Sequence, residues 1–251
     1  MRRLGRIRLS TIMDLRDLRR RPLILVLLIV TPIVFISRAI ANTEALPRTV
    51  NLADGTTVAT TMRAIHGADM TIIAVAFLAG LVGVFIMNSA READGRLAHA
   101  GFGATNAVVA RLVVLLVCTL IVTGVALLVT SRSFSPTQWA WFAVGNLVIG
   151  ITYAGIGAMA SGMLGRVAAT YLLLFLAMLD LGIVQNPMFG NGSPPSWALA
   201  LPGYPATRTV MAAALSPGQG MPNGIVFGML AWMIGVVAVT IWSLSLSLHR
   251  R

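Results

Sequence analysis

The sequence predicts an all-α membrane protein with six transmembrane helices, an N-terminal interfacial helix and both termini on the cytoplasmic side. Three observations predict it. Of the 251 residues, 57% are hydrophobic and 11% charged, with a mean hydropathy of +0.85, a balance foreign to water-soluble domains of this length. Six apolar stretches approach the roughly 20 helical residues needed to cross a hydrocarbon core of about 30 Å. All nineteen basic residues are arginine, and most of them fall in alternate connections, as topology signals do.

Residues 1–21 hold eight arginines (Arg2, Arg3, Arg6, Arg8, Arg16, Arg19, Arg20 and Arg21) ahead of any apolar run. Among them Leu4, Ile7, Thr11, Leu15 and Leu18 recur at spacings of three and four, which marks one face of a helix lying in the interface. Its arginines would meet anionic lipid headgroups. The Arg21-Pro22 step ends it, because the residue before proline is pushed out of the helical region.

The first span, 23–40, contains Pro32, tolerated in membrane helices, and Arg38, which can snorkel outward. It is expected to be retained rather than cleaved as a signal peptide, since the arginine-rich region before it is long and further spans follow. A polar connection of mixed charge, 42–69, leads to the second span, 70–90. The charged and glycine-rich segment 91–107 precedes the third span, 112–130. The fourth and fifth, 139–164 and 167–185, are separated by two residues. Segment 186–223 is rich in proline and glycine but includes the apolar pieces Trp197–Leu201 and Tyr204–Leu215, expected as two short helices dipping into the outer leaflet with Trp197 and Tyr204 at its boundary. The sixth span, 224–246, completes the chain. With the N-terminus inside, fourteen arginines lie in inner segments and five (Arg38, Arg48, Arg63, Arg132 and Arg208) in outer ones, which places both ends in the cytoplasm.

The net charge of +11 implies membrane rather than nucleic-acid contact, because no basic module exists apart from the spans. The absence of lysine removes a phosphate-binding P-loop, a pyridoxal Schiff base and a retinal linkage from this chain. Cys118 is alone, so no intrachain disulfide forms. An intramembrane enzyme lacks its parts: His66, His99 and His249 fall in connections or at the end, away from Ser161, there is no H-E-x-x-H helix, and Asp180 has no second acid at membrane depth to form a pair.

Asp180, in the outer part of the fifth span, is the one charge well inside a span, where an ion costs roughly 2.5–3.5 kcal/mol at the centre. It would pair with an arginine such as Arg38 or Arg208, or line a substrate path. Asn146, Tyr153 and Gln185 are milder candidates for that path, each equally served by interhelical hydrogen bonding. Ala154, Ala158 and Gly162, and separately Gly224 and Gly228, have the small-residue spacing of close helix contacts.

The connection after the second span reads Asn88-Ser-Ala-Arg-Glu-Ala-Asp-Gly-Arg-Leu-Ala-His, followed by a glycine-rich turn. A short helix with charges of both signs can dock into a partner's groove. With the interfacial helix, six spans and a proline-rich outer segment before the last, this layout resembles the permease subunits of ABC-2-type ATP-binding-cassette exporters along essentially the whole chain. The sequence differs from that family in having Arg96-Leu97 and Gly101-Phe102-Gly103 where a second glutamate and a proline are usual. The resemblance implies that Arg91, Glu92, Asp94, Gly95 and Arg96 form a coupling helix against a separate ATPase subunit. It also implies a homodimer, or a heterodimer with a sister permease, in a bacterial plasma membrane. ATP and Mg would then be bound by the partner ATPase and no cofactor by this chain. An amphipathic cargo such as a drug, antibiotic or lipid suits the small, apolar spans. An ion-gradient-driven transporter or small channel, and an ATP-independent scaffold, are the alternatives.

Overall fold

A computed structural model of the chain describes residues 2–20, 22–52, 56–99, 104–189, 194–216 and 221–249, with backbone alone at 2–4, 6, 7, 9, 14, 17, 23, 89–99, 104, 105 and 246–249. Five of its helices are long and apolar enough to cross a membrane. In chain order the helices are α1 (Arg2–Arg19), α2 (Pro22–Ala41), α3 (Met62–His99), α4 (Ala104–Thr130), α5 (Trp139–Ala177), α6 (Gly203–Leu215) and α7 (Asn223–His249). A π-helical turn, Met178–Val184, extends α5, and a 3₁₀ turn, Ser196–Ala200, precedes α6.

The longest apolar stretch, Trp139–Val184, is 46 residues and folds as an antiparallel pair. Gly165 interrupts it with φ 78° and ψ 174°, a conformation that essentially only glycine adopts. The reversal is visible in the packing. A methyl group on Gly80 would lie 3.1 Å from Leu173 and 3.3 Å from the Tyr153 carbonyl oxygen, although twenty residues of straight helix would separate those two by about 30 Å. The division between 139–164 and 167–185 expected from the sequence coincides with this turn. The Arg166 guanidinium beside it lies 4.4 Å from the centre of the Phe85 ring, a cation–π contact between the turn and α3.

α3 is the central helix: 78% of its apolar window is buried, against 17% for α7. Small residues make that centrality possible. Gly83 abuts the backbone of Ala154 and Ala158, and Gly157 abuts the Gly80 carbonyl, so α3 and α5 approach backbone to backbone. Side chains at these glycines would collide, and lipid-embedded helices associate chiefly through such packing. α2 and α4 cover α3 through a second cluster that includes Leu28, Ile36, Leu78, Leu115 and Cys118. Leu18 of α1 joins it, while Arg8, Arg16, Arg19 and Arg20 are exposed.

Two expectations need correction. The chain is not purely α-helical, because 42–61 contains an antiparallel hairpin of β1 (Pro47–Asn51) and β2 (Thr57–Thr61), in the register Pro47↔Thr61 to Asn51↔Thr57. Alternating β-branched residues suit a half-exposed ribbon. The second apolar helix also starts at Met62 rather than 70. Thr61 explains the start, since its Oγ1 accepts a hydrogen bond from the Ala64 N–H at 3.3 Å, the helix-capping role of threonine.

Candidate functional site

Asp69, Asp180, Gln185 and Asn186, all buried, gather where the start of α3, the π-helical turn and α6 meet. Asp180, on the π-turn, is 1% exposed, and Tyr153 and Asn146, on α5, are fully enclosed. The antiparallel fold at Gly165 brings the first two together: Tyr153 Oη donates to Asp180 Oδ2 at 2.9 Å, across 27 positions that a continuous helix would spread over about 40 Å. The Gly203 N–H donates to the same oxygen at 2.8 Å. Asp180 therefore sits at the N-terminus of α6, where unpaired amides and the helix dipole favour a carboxyl group.

Gly203 is required for that approach, because a side chain there would overlap the Asp180 carboxyl group. Gln185 ties the following segment down, its Nε2 donating to the Ala198 carbonyl at 2.9 Å. Asp180, Tyr153 and Gln185 thus form one knot that fastens the segment 194–215 to the bundle. The arginine partner expected for Asp180 is replaced by tyrosine and backbone. Arg208 instead lies 5.6 Å from the centre of the Tyr204 ring and donates to the Asn51 carbonyl at 3.4 Å, while Arg38 is exposed at the end of α2.

Asn146 stands outside the knot. Its Nδ2 donates within its own helix to the Phe142 carbonyl at 2.8 Å. The neighbouring Gly145 packs against Thr209 and Val210 of α6.

Asp180 is not alone as a buried acid, contrary to the sequence expectation. Asp69 is fully buried two turns into α3, within an apolar stretch that runs Met62–Asn88. Asn186 Nδ2 donates to its Oδ2 at 2.7 Å and to the Gly182 carbonyl at 3.2 Å. His66, assigned above to a connection, lies on the same helix one turn earlier. Among the described buried atoms, Asp69 Oδ1, Asp180 Oδ1 and Gln185 Oε1 have no hydrogen-bond partner. No group of three His, Cys, Asp or Glu suited to a metal ion forms among the described residues.

At the opposite end of α3 the helical backbone continues without interruption through Arg91, Glu92, Asp94, Gly95 and Arg96 to His99. The side chains of these five residues lie outside the described set. A lateral apolar cavity of about 510 Å³ opens between α4, α5 and α7, walled by Leu112, Leu116, Ile151, Met233, Val237 and Ile241.

Comparison with protein-family models, curated proteins and solved structures finds no match to this chain.

Proposed function

We propose that the chain is the membrane-spanning permease subunit of an ABC-2-type exporter, working as a homodimer or with a sister permease and driven by a separate ATPase that binds ATP and Mg. The observation that carries the reading is α3. Its 38 residues amount to about 57 Å of helix, well beyond a hydrocarbon core of about 30 Å. The excess carries the mixed charges of 91–96 away from the bilayer as one continuous helix, the form a protruding coupling element needs. Counting the pair joined at Gly165 as two spans gives six crossings with both termini on one side, the arginine distribution supports the cytoplasm as that side, and the resemblance implies a bacterial inner membrane. The 510 Å³ cavity is within the usual range for small-molecule sites and, walled by apolar side chains, suits the greasy part of an amphipathic cargo.

The test is the Glu92→Lys variant, with Glu44→Lys at an exposed site as control. Membrane insertion is expected to persist in both, because acidic residues weigh little in topology. ATPase recovery on pull-down and export should fall only in Glu92→Lys, since disrupting a buried interfacial charge pair costs about 2–5 kcal/mol. Equal recovery and export in both would reject the reading.

The buried acids Asp69 and Asp180 favour one second reading, a transporter driven by an ion gradient. Export that persists without any ATPase and stops when the gradient is collapsed would select it.

A further inference from the structure

We propose that Asp69 and Asp180 are a pair of proton-binding sites, one clasping Asn186 and the other the start of α6, each loading its proton on the carboxyl oxygen that has no other hydrogen-bond partner. The proposal goes beyond the permease reading and does not depend on it.

The two acids hold the same excursion of chain. Asp69 grips its beginning through Asn186, and Asp180 grips the first residue of α6 through the Gly203 amide. In each acid Oδ2 accepts the described hydrogen bonds while Oδ1 is enclosed and unpartnered. A carboxylate enclosed in this way leaves a full charge without a counter-ion, whereas a carboxylic acid places its proton on the vacant oxygen and leaves Oδ2 free to accept.

Among the described residues no ionised side chain faces either acid, and the one opposing influence is the N-terminal end of α6 at Asp180, which favours a carboxylate. Facing Asp180 are the Tyr153 hydroxyl from α5, the neutral side-chain amide of Gln185 and the backbone of Gly203 from α6. Facing Asp69 is the neutral amide of Asn186. Of the ionisable groups on neighbouring elements, His66 lies one turn from Asp69 on α3. Arg208 is engaged with Tyr204 and Asn51, and Arg38, Arg63 and Arg132 are exposed.

A proton also fits where a metal cation does not. Asp180 Oδ1 abuts the face of Gly203 on which a side chain would begin, so that face has no room even for a methyl group. A cation needs several oxygens around it, and a proton needs one.

Loss of the proton breaks the acid's O–H bond, passes H⁺ to water of the adjoining aqueous phase and leaves a carboxylate. That carboxylate is tolerated only where water reaches it, so deprotonation and lifting of the segment 194–215 are linked. Low pH should therefore hold the segment down and high pH should release it.

Two measurements on the full-length chain in lipid nanodiscs test this. Infrared difference spectra between a lower and a higher pH should show two carboxylic-acid C=O bands lost at the higher. One band should be absent in Asp69→Asn and the other in Asp180→Asn. Tyr153→Phe, which keeps the packing, should move the Asp180 band alone. Separately, spin labels at Ser131 and Ala200, both exposed, in a Cys118→Ser background should give a longer and broader distance distribution at the higher pH. The Asp69→Asn/Asp180→Asn double variant should show the same distribution at both. Absence of protonated-acid bands assignable to these residues, or an unchanged distance in the unsubstituted acids, would overturn the proposal. Should the double variant fail to fold, the infrared bands of the parent chain and of Tyr153→Phe still decide it.

Discussion

Gly203 illustrates how one missing side chain fixes a site. Its amide reaches Asp180 only because nothing projects from its Cα, so Gly203→Ala forces either the carboxyl group or α6 to move. Overpacking of this kind costs about 1–3 kcal/mol, and the variant should unfold at correspondingly lower denaturant in detergent while Gly224→Ala, in open space, should not. An equal midpoint for the two would show that α6 is not seated on Asp180. Asp180, Tyr153 and Gln185 were legible in the sequence because polar letters stand out in apolar runs. Their partners were not legible, since one is a backbone amide without a letter of its own and another lies 27 positions away. Asp69 was missed for a different reason: counting apolar residues starts a span at the first unbroken run, whereas the helix starts at its cap, Thr61.

At the scale of elements, the turn at Gly165 makes two membrane-length helices out of one 46-residue apolar stretch. Its positive φ, with ψ 174°, disfavours every side chain although the space around it is empty. Gly165→Ala should therefore lose about 1–3 kcal/mol through backbone strain alone. Gly124→Ala, in equally open space inside α4, should be neutral or stabilising, as alanine is the better helix former by roughly 1 kcal/mol. Comparing the two unfolding midpoints separates strain from crowding, and a neutral Gly165→Ala would mean the turn is not held by this backbone conformation. The helices were readable from length and hydropathy. The hairpin was also signalled, by Thr49, Val50, Thr57, Val58 and Thr60 around Asp54-Gly55, a dipeptide typical of tight hairpin turns. Read as a polar connection of mixed charge, the segment has no element of its own, because attention to membrane-length apolar runs passes over strands of five residues.

For the whole molecule, the orientation proposed from the arginines has a direct check. In a Cys118→Ser background, a cysteine at Thr56 should react with an impermeant thiol reagent applied to intact cells, and one at Ala98 should react only after the membrane is opened. Labelling of the Ala98 site in intact cells would invert the topology and move the charged end of α3 to the outside. Cys118 itself is fully buried, so the reagent does not reach it in the parent chain, which serves as the unlabelled control. The unbroken course of α3 has a mechanical consequence. No proline occurs between Met62 and His99, and sharp kinks in helices have their commonest cause in proline. The helix passes through the middle of the bundle as one element, with Asp69 two turns from the end opposite the charged tip. On the proposed orientation, a push from a partner at that tip would reach the Asp69–Asn186 contact along a single helix.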